Sequence, residues 1–253
     1  MRSFKHSGRF FQMKTLLTKI ESQLQSNSRS CDDVDVAIRR WAKNLGCQEI
    51  EVTSLIPASE LQRAGYPEAF PQLIMYARPG QDKHEAEPAY ALSPAVCYHA
   101  YVGLAGRVLH SLTRLTAEGH CFRNESESQP GRRQIEFRMR ELIFVGQSDQ
   151  IGLALEGVET VVQRIAAEAG IEGSWEVGND PFFVSTSRGR ALMQRLLNTK
   201  REFCLPDGLA IASVNRHQSF FGERFSIRTA DGAFAHSACI AFGLDRWNYA
   251  QNR

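Results

Sequence analysis

Two runs in the middle of the chain, HCFRNES (residues 120–126) and RQIEFRMRELIFVG (residues 133–146), do most to limit the folds open to it. Both have the composition and alternation of strands, and the polar stretch ESQPG between them predicts an antiparallel hairpin with a long connection. Helices are expected around it. From Asp32, DDVDVAIRRWAKNLG has an acidic start, apolar residues at helical spacing and a glycine stop. SPAVCYHAYVGLAGRVLHSLTRLTAEGH begins with Ser93 as N-cap and Pro94 in the first turn, and predicts a helix running to Gly119 with Cys97 near its start. Residues 148–170 and 186–203 predict two more helices. Further strands are expected in CQEIEVTSLI, which ends at Pro57, in PQLIMYAR, and near 208–215, 223–229 and 234–242. Helices set among antiparallel strands imply an α+β fold rather than a doubly wound parallel sheet.

At 253 residues and 43% hydrophobic, the chain can bury one large core. A net charge of +2 makes no demand for nucleic acid or a membrane surface. No apolar stretch approaches the roughly 18 residues of a membrane span. The opening MRSFKHSGRFFQMK lacks the apolar centre of a secretory signal, so a cytoplasmic protein is expected. The six cysteines, at 31, 47, 97, 121, 204 and 239, contain no CxxC pair, which suggests reduced thiols rather than disulfides or a zinc ribbon. Residues 1–33 form a short N-terminal extension whose MKTLLTKIESQLQS stretch suits one helix, and residues 34–253 form the main domain.

Several charged and soft side chains stand out. Arg123 and Glu125 are two apart on a strand-like run and so share a face, as a surface ion pair or as a pair presented to a ligand. HSACIAFGLDRW (residues 236–247) carries Cys239 in a small apolar strand and Arg246 at a helix start behind Gly243, a setting that suits phosphate. Cys97 and Cys239 can be read as small buried hydrophobes or as metal ligands. Ser213, Asn215 and His217 lie close together, for a structural hydrogen-bond network or a pocket lining.

Taken in order, these segments resemble the three motifs of class II aminoacyl-tRNA synthetases: the helix and strand ending at Pro57, FRNES through GRRQIEFRMRE, and AFGLDR. SPAVCYHAY, RMRELIFVG, NDPFF, SVNRHQSFFGERF and HSACIAFGLDRW narrow the likeness to amino acid:[carrier protein] ligases, truncated homologues of archaeal-type seryl-tRNA synthetase. The resemblance implies a class II synthetase-like antiparallel sheet flanked by helices, with 34–253 as a catalytic domain. It also implies ATP-dependent activation of a small amino acid, glycine or alanine before serine, as an aminoacyl-adenylate. The acyl group would pass to the phosphopantetheine thiol of an acyl carrier protein. By the same likeness Arg123 contacts the α-phosphate and substrate carboxylate, Glu125 reads the adenine amino group, Phe137 stacks on adenine, Arg133 reaches the distal phosphates and Arg246 holds the γ-phosphate. Cys97, Glu141 and Cys239 match a catalytic zinc site, Ser213 and Asn215 line the substrate pocket, and Mg2+ accompanies ATP.

Because only about 33 residues precede the first motif, no tRNA-binding domain and no tRNA substrate are expected. A homodimer is implied, with the strand ending at Pro57 near its twofold axis. A basic helix bearing Arg188, Arg190, Arg195, Lys200 and Arg201 suits an acidic carrier protein, or is a solvated face. Departures from the pattern are Ala241 where glycine is usual, Ala210 where a magnesium-binding glutamate is usual, and a short stretch after Arg246. They keep a non-catalytic or regulatory synthetase paralogue as the alternative; a nucleic-acid-binding fragment that aids tRNA aminoacylation is disfavoured by the near-neutral charge.

Overall fold

The computed structural model describes residues 31–78, 88–178 and 199–253. In chain order the strands are β1 (Gln48–Glu49), β2 (Leu55–Pro57), β3 (Tyr76–Ala77), β4 (Tyr90–Leu92), β5 (Val108–Leu109), β6 (Thr113–Phe122), β7 (Glu136–Gly146), β8 (Ser174–Val177), β9 (Lys200–Cys204), β10 (Ala210–Gln218), β11 (Arg228–Thr229) and β12 (His236–Gly243). The helices are α1 (Cys31–Asn44), α2 (Ala58–Arg63), α3 (Tyr66–Ala69), α4 (Cys97–Gly103), α5 (Ser148–Ala154), α6 (Val158–Glu168), α7 (Phe220–Phe225) and α8 (Leu244–Gln251). Seven strands form the main sheet in the order β1-β6-β7-β12-β10-β9-β8, antiparallel throughout except for β1 against β6. The α+β expectation holds.

Strand pleating divides the molecule into two faces, because alternate side chains leave the sheet in opposite directions. On β7 the even positions Leu142 and Phe144 join Ile240 and Phe242 of β12 in the larger core. That core is covered by Val34, Ile38 and Trp41 of α1, Val158, Val162 and Ile165 of α6, and Trp247 of α8. The odd positions of β7 and β12, with α4 and α7, build the opposite face, where Ile143 and Cys239 lie in a second cluster with Tyr101 and Phe225. Burial of a side chain such as Trp41 or Phe144 contributes about 1.5–3 kcal/mol each, so the helix-covered face fixes the sheet.

Several expected elements differ. The helix expected over residues 93–119 is α4 alone, Cys97–Gly103, with Val96 at its N-cap and Ser93 upstream. Residues 113–122 are strand β6, paired with β7 along its whole length. The apolar spacing of that segment fits either structure, and pairing with a central strand decides it. β6 ends at Phe122, so Arg123 and Glu125 lie just beyond the strand rather than on it. The helix expected over 148–170 divides into α5 and α6 at Gly157, whose φ of +73° breaks helical geometry. CQEIEVTSLI gives two short strands, β1 and β2. The strand expected over 223–229 instead begins in the last residues of α7 and is strand only at β11. Lys200 and Arg201, expected on a basic helix, lie on β9, while Arg188, Arg190, Arg195, NDPFF and the N-terminal MKTLLTKIESQLQS fall outside the described residues.

One buried ion pair ties α1 to the sheet. Arg140, 2% exposed, donates through Nε and NH2 to the two carboxylate oxygens of Asp35, the latter bond at 3.1 Å. Its NH1 reaches Glu49 of β1 at 3.3 Å and Thr116 of β6 at 3.4 Å. Removing one partner of such a pair leaves a buried charge unpaired. Asp35→Ala should therefore destabilise the fold by about 3 kcal/mol in urea unfolding, and the double change Asp35→Leu with Arg140→Met should recover most of it.

Candidate active site

The odd-numbered face of the sheet opens into a cleft of about 1160 Å³. Cys97, Arg123, Glu125, Arg133, Phe137, Glu141, Ser213, Asn215, Cys239 and Arg246 all line it, so the ten residues singled out in the sequence converge on one space. Three parts of the fold bring them there: the first turn of α4, the β6–β7 hairpin with its loop, and the central strands β10 and β12 running into α8.

At the cleft floor, Cys97, Glu141 and Cys239 present their donor atoms within 4.8 Å of one another, and all three are buried. Glu141 stands between Ala117 on β6 and Ala241 on β12, whose small side chains leave room around its carboxylate. Cys239 is one pair further along, opposite Asn215 on β10. The Asn215 Nδ2 donates to Ser213 Oγ at 3.0 Å and to Cys239 Sγ at 3.5 Å, so Ser213 and Asn215 buttress the cysteine. His217 places Nε2 3.9 Å from the same sulfur, and its Nδ1 lies between Tyr101 Oη at 3.2 Å and Ser237 Oγ at 3.3 Å.

Electrostatically the floor is frustrated without a cation. Burial drives the Glu141 carboxyl well above its ordinary range, with Cys239 adding to the shift. The thiol of Cys97 is pushed up by its hydrogen bond to Cys239, and Cys239 is drawn down by the same bond. Glu141 Oε2 is buried with no hydrogen-bond partner among the described residues. Two sulfurs and an orphaned carboxylate oxygen form a donor set that fits a borderline-soft divalent ion such as zinc, and three protein donors leave a position for a small-molecule ligand.

The upper cleft is cationic. Arg123 donates through Nε and NH2 to the Pro94 carbonyl at 3.3 and 3.2 Å and lies 5.0 Å over the Phe137 ring. Arg133 sits 3.8 Å from Glu125. Arg246 is held by two main-chain carbonyls, Arg132 O at 2.8 Å and Ala210 O at 2.7 Å. Burial, then the nearby Arg123 guanidinium, hold Arg246 below its ordinary value, with Arg133 acting in the same direction. Such a cluster favours a polyanion.

Glu202 was not among the expected site residues, and Lys200 was expected on a basic helix. Glu202 and Lys200 of β9 also line the cleft, paired with each other at 3.0 Å. Strand alternation on β9 was the signal that would have found them, and it was hidden by the helix expected there. Arg201, on the opposite side of that strand, pairs with Glu159 at 3.1 Å. Neither Lys200 nor Arg201 is thus an unengaged docking cation.

The fold is shared with class II aminoacyl-tRNA synthetases of known structure. The crystal structure of A. aeolicus tRNASec in complex with M. kandleri SerRS matches it with a TM-score of 0.71 and 19% identity, over 86% of this chain and 51% of that one. By sequence, the chain's homologues include amino acid–[acyl-carrier-protein] ligases and type-2 serine–tRNA ligases. It is 31% identical over 214 residues to amino acid–[acyl-carrier-protein] ligase 2 of Bradyrhizobium diazoefficiens, a match covering 74% of this chain and 64% of that protein. To the type-2 serine–tRNA ligase of Methanothermobacter thermautotrophicus it is 26% identical over 250 residues, 84% of this chain and 48% of that protein. The chain thus spans less than two thirds of the length of each of these two relatives. No protein-family model matches it. No helix among the described residues is long and apolar enough to cross a membrane.

The arginine cluster can be tested without a substrate. Inorganic tripolyphosphate at ten times its dissociation constant should raise the thermal midpoint by roughly 3–6 °C. Arg246→Ala should remove most of that rise, and added salt should weaken it.

Proposed function

We propose that the protein activates a small amino acid, glycine or alanine in first place, with ATP and transfers it to the phosphopantetheine thiol of an acyl carrier protein. The observation that carries this reading is a buried Cys97–Glu141–Cys239 donor set in the same cleft as the Arg123, Arg133 and Arg246 cluster. The relationship to the carrier-protein ligases supports the choice of acceptor.

In the first step the amino acid carboxylate oxygen attacks the α-phosphorus of ATP. A new P–O bond forms, and pyrophosphate leaves with magnesium. The chain contributes position and charge rather than a proton relay. Arg123 would leave the Pro94 carbonyl for the α-phosphate and the incoming carboxylate, and its swing would uncover the Phe137 ring for adenine. Glu125 would accept from the adenine amino group, Arg133 would turn to the distal phosphates, and Arg246, already fixed by two carbonyls, would hold the γ-phosphate. A guanidinium preorganised as Arg246 is offsets the charge that builds as the bond breaks, and Arg123 and Arg133 would add to it once moved. In the second step the carrier thiol attacks the acyl carbon, a thioester forms, and AMP leaves with the thiol proton balanced by solvent.

Cys97, Glu141 and Cys239 would hold zinc, with Asn215 keeping the Cys239 sulfur oriented. When bound, zinc would supply an electrophilic position for the substrate's amino group. Ser213 and Asn215 then belong to the wall beside that amine. The reading includes a homodimer, with β2 near its axis, and a cytoplasmic setting.

Amino-acid-dependent exchange of pyrophosphate into ATP tests the first step, with glycine and alanine expected to give the highest rates. Silence with every amino acid would sink the proposal. Cys97→Ala and Cys239→Ala should each lose bound zinc and slow exchange by at least about a hundredfold. Chelation of the parent should do the same reversibly. Charging of a phosphopantetheinylated carrier protein, with tRNA as the competing acceptor, decides the second step.

A further inference from the structure

The loop joining β6 to β7 carries two adjacent arginines that do different work. Arg133 approaches Glu125. Arg132 instead reaches the β9–β10 turn and α8: its NH1 is ion-paired with Asp207 and lies 3.3 Å from the Tyr249 hydroxyl, and its guanidinium stacks 5.5 Å over the Tyr249 ring. Arg253 completes the cluster, 2.9 Å from Asp207 and 5.4 Å over the Tyr249 ring. The loop backbone itself rests on that ring. Gly131 has φ of +72°, and a Cβ added to it would fall 2.8 Å from Tyr249 side-chain atoms.

These contacts lead into the cleft through the main chain. The carbonyl of Arg132 accepts the Arg246 Nε–H at 2.8 Å, so the residue whose side chain is clamped by Asp207 and Tyr249 also orients Arg246 through its backbone. Asp207 is ionised throughout the ordinary pH range, because the Arg132 hydrogen bond holds its carboxyl down to about 2.

We propose that Asp207 and Tyr249 are positioning residues for polyphosphate binding: acting through Arg132, they hold the Gly131–Arg132 tip of the loop against α8 and preset Arg246 for the distal phosphates. The inference rests on the reading of the cleft as an ATP site. A guanidinium and a loop already ordered lose less freedom when the anion arrives, which is where preorganisation gains affinity.

The test compares ATP with AMP, which lacks the distal phosphates, by titration calorimetry on the full chain. Asp207→Ala should weaken ATP binding about tenfold and leave AMP binding as in the parent. Gly131→Ala, which prevents the loop from seating on Tyr249, should reproduce that split, and Asp207→Glu should restore much of the ATP affinity. Equal losses for ATP and AMP, or an unchanged ATP affinity in both Asp207→Ala and Gly131→Ala, would overturn the inference. A parent protein that binds neither nucleotide would overturn the underlying ATP reading, and a parent that binds both keeps the two failures distinct. Should Asp207→Ala fold poorly, Gly131→Ala and Asp207→Asn carry the same comparison.

Discussion

Burying a carboxylate in the middle of a sheet is costly, and Glu141 is buried there with one oxygen unpartnered. Its neighbours are arranged around that cost. Ala117 and Ala241 flank it with minimal bulk, two cysteine sulfurs approach it from α4 and β12, and the arginines that line the same cleft begin just above. A well-packed apolar residue at this position would serve stability better, which is the physical support for the proposed cation site.

Next to Glu141 in sequence, Arg140 solves the opposite problem on the opposite face. It too is buried, but it is saturated by Asp35, Glu49 and Thr116, which locks α1 and β1 onto the sheet. Two consecutive residues of one strand thus carry buried ionisable groups, Arg140 paired and structural, Glu141 with one carboxyl oxygen unpartnered among the described residues. The pleat keeps them from neutralising each other, and the paired one steadies the strand that displays the other.

The site was legible because each of its residues lies in a short segment with its own local pattern, such as FRNES or AFGLDR, and the resemblance supplied the pairing among distant segments that no spacing reveals. The strand periodicity of β7 and β12 was also readable, since both strands are long and continuous. β6 was not: the apolar positions of LHSLTRLTAEGH suit a helix as well as a strand, and only the partner strand β7 chooses between them. The Arg132–Asp207–Tyr249 cluster left no local trace at all, because its partners are 75 and 117 residues from Arg132. Ordinary polar residues on turns and a terminal helix look like solvated surface until the fold brings them together.

The order of strands has a consequence for how the cleft comes into being. β12, near the end of the chain, is inserted between β7 and β10, and it brings Cys239 to Cys97 and Glu141. Without that strand beside β7, Cys97 and Glu141 lack the third donor, and Arg246, which follows it in the chain, is not brought to the Arg132 and Ala210 carbonyls. The three donors can therefore meet only when strands distant in sequence lie side by side in the finished sheet.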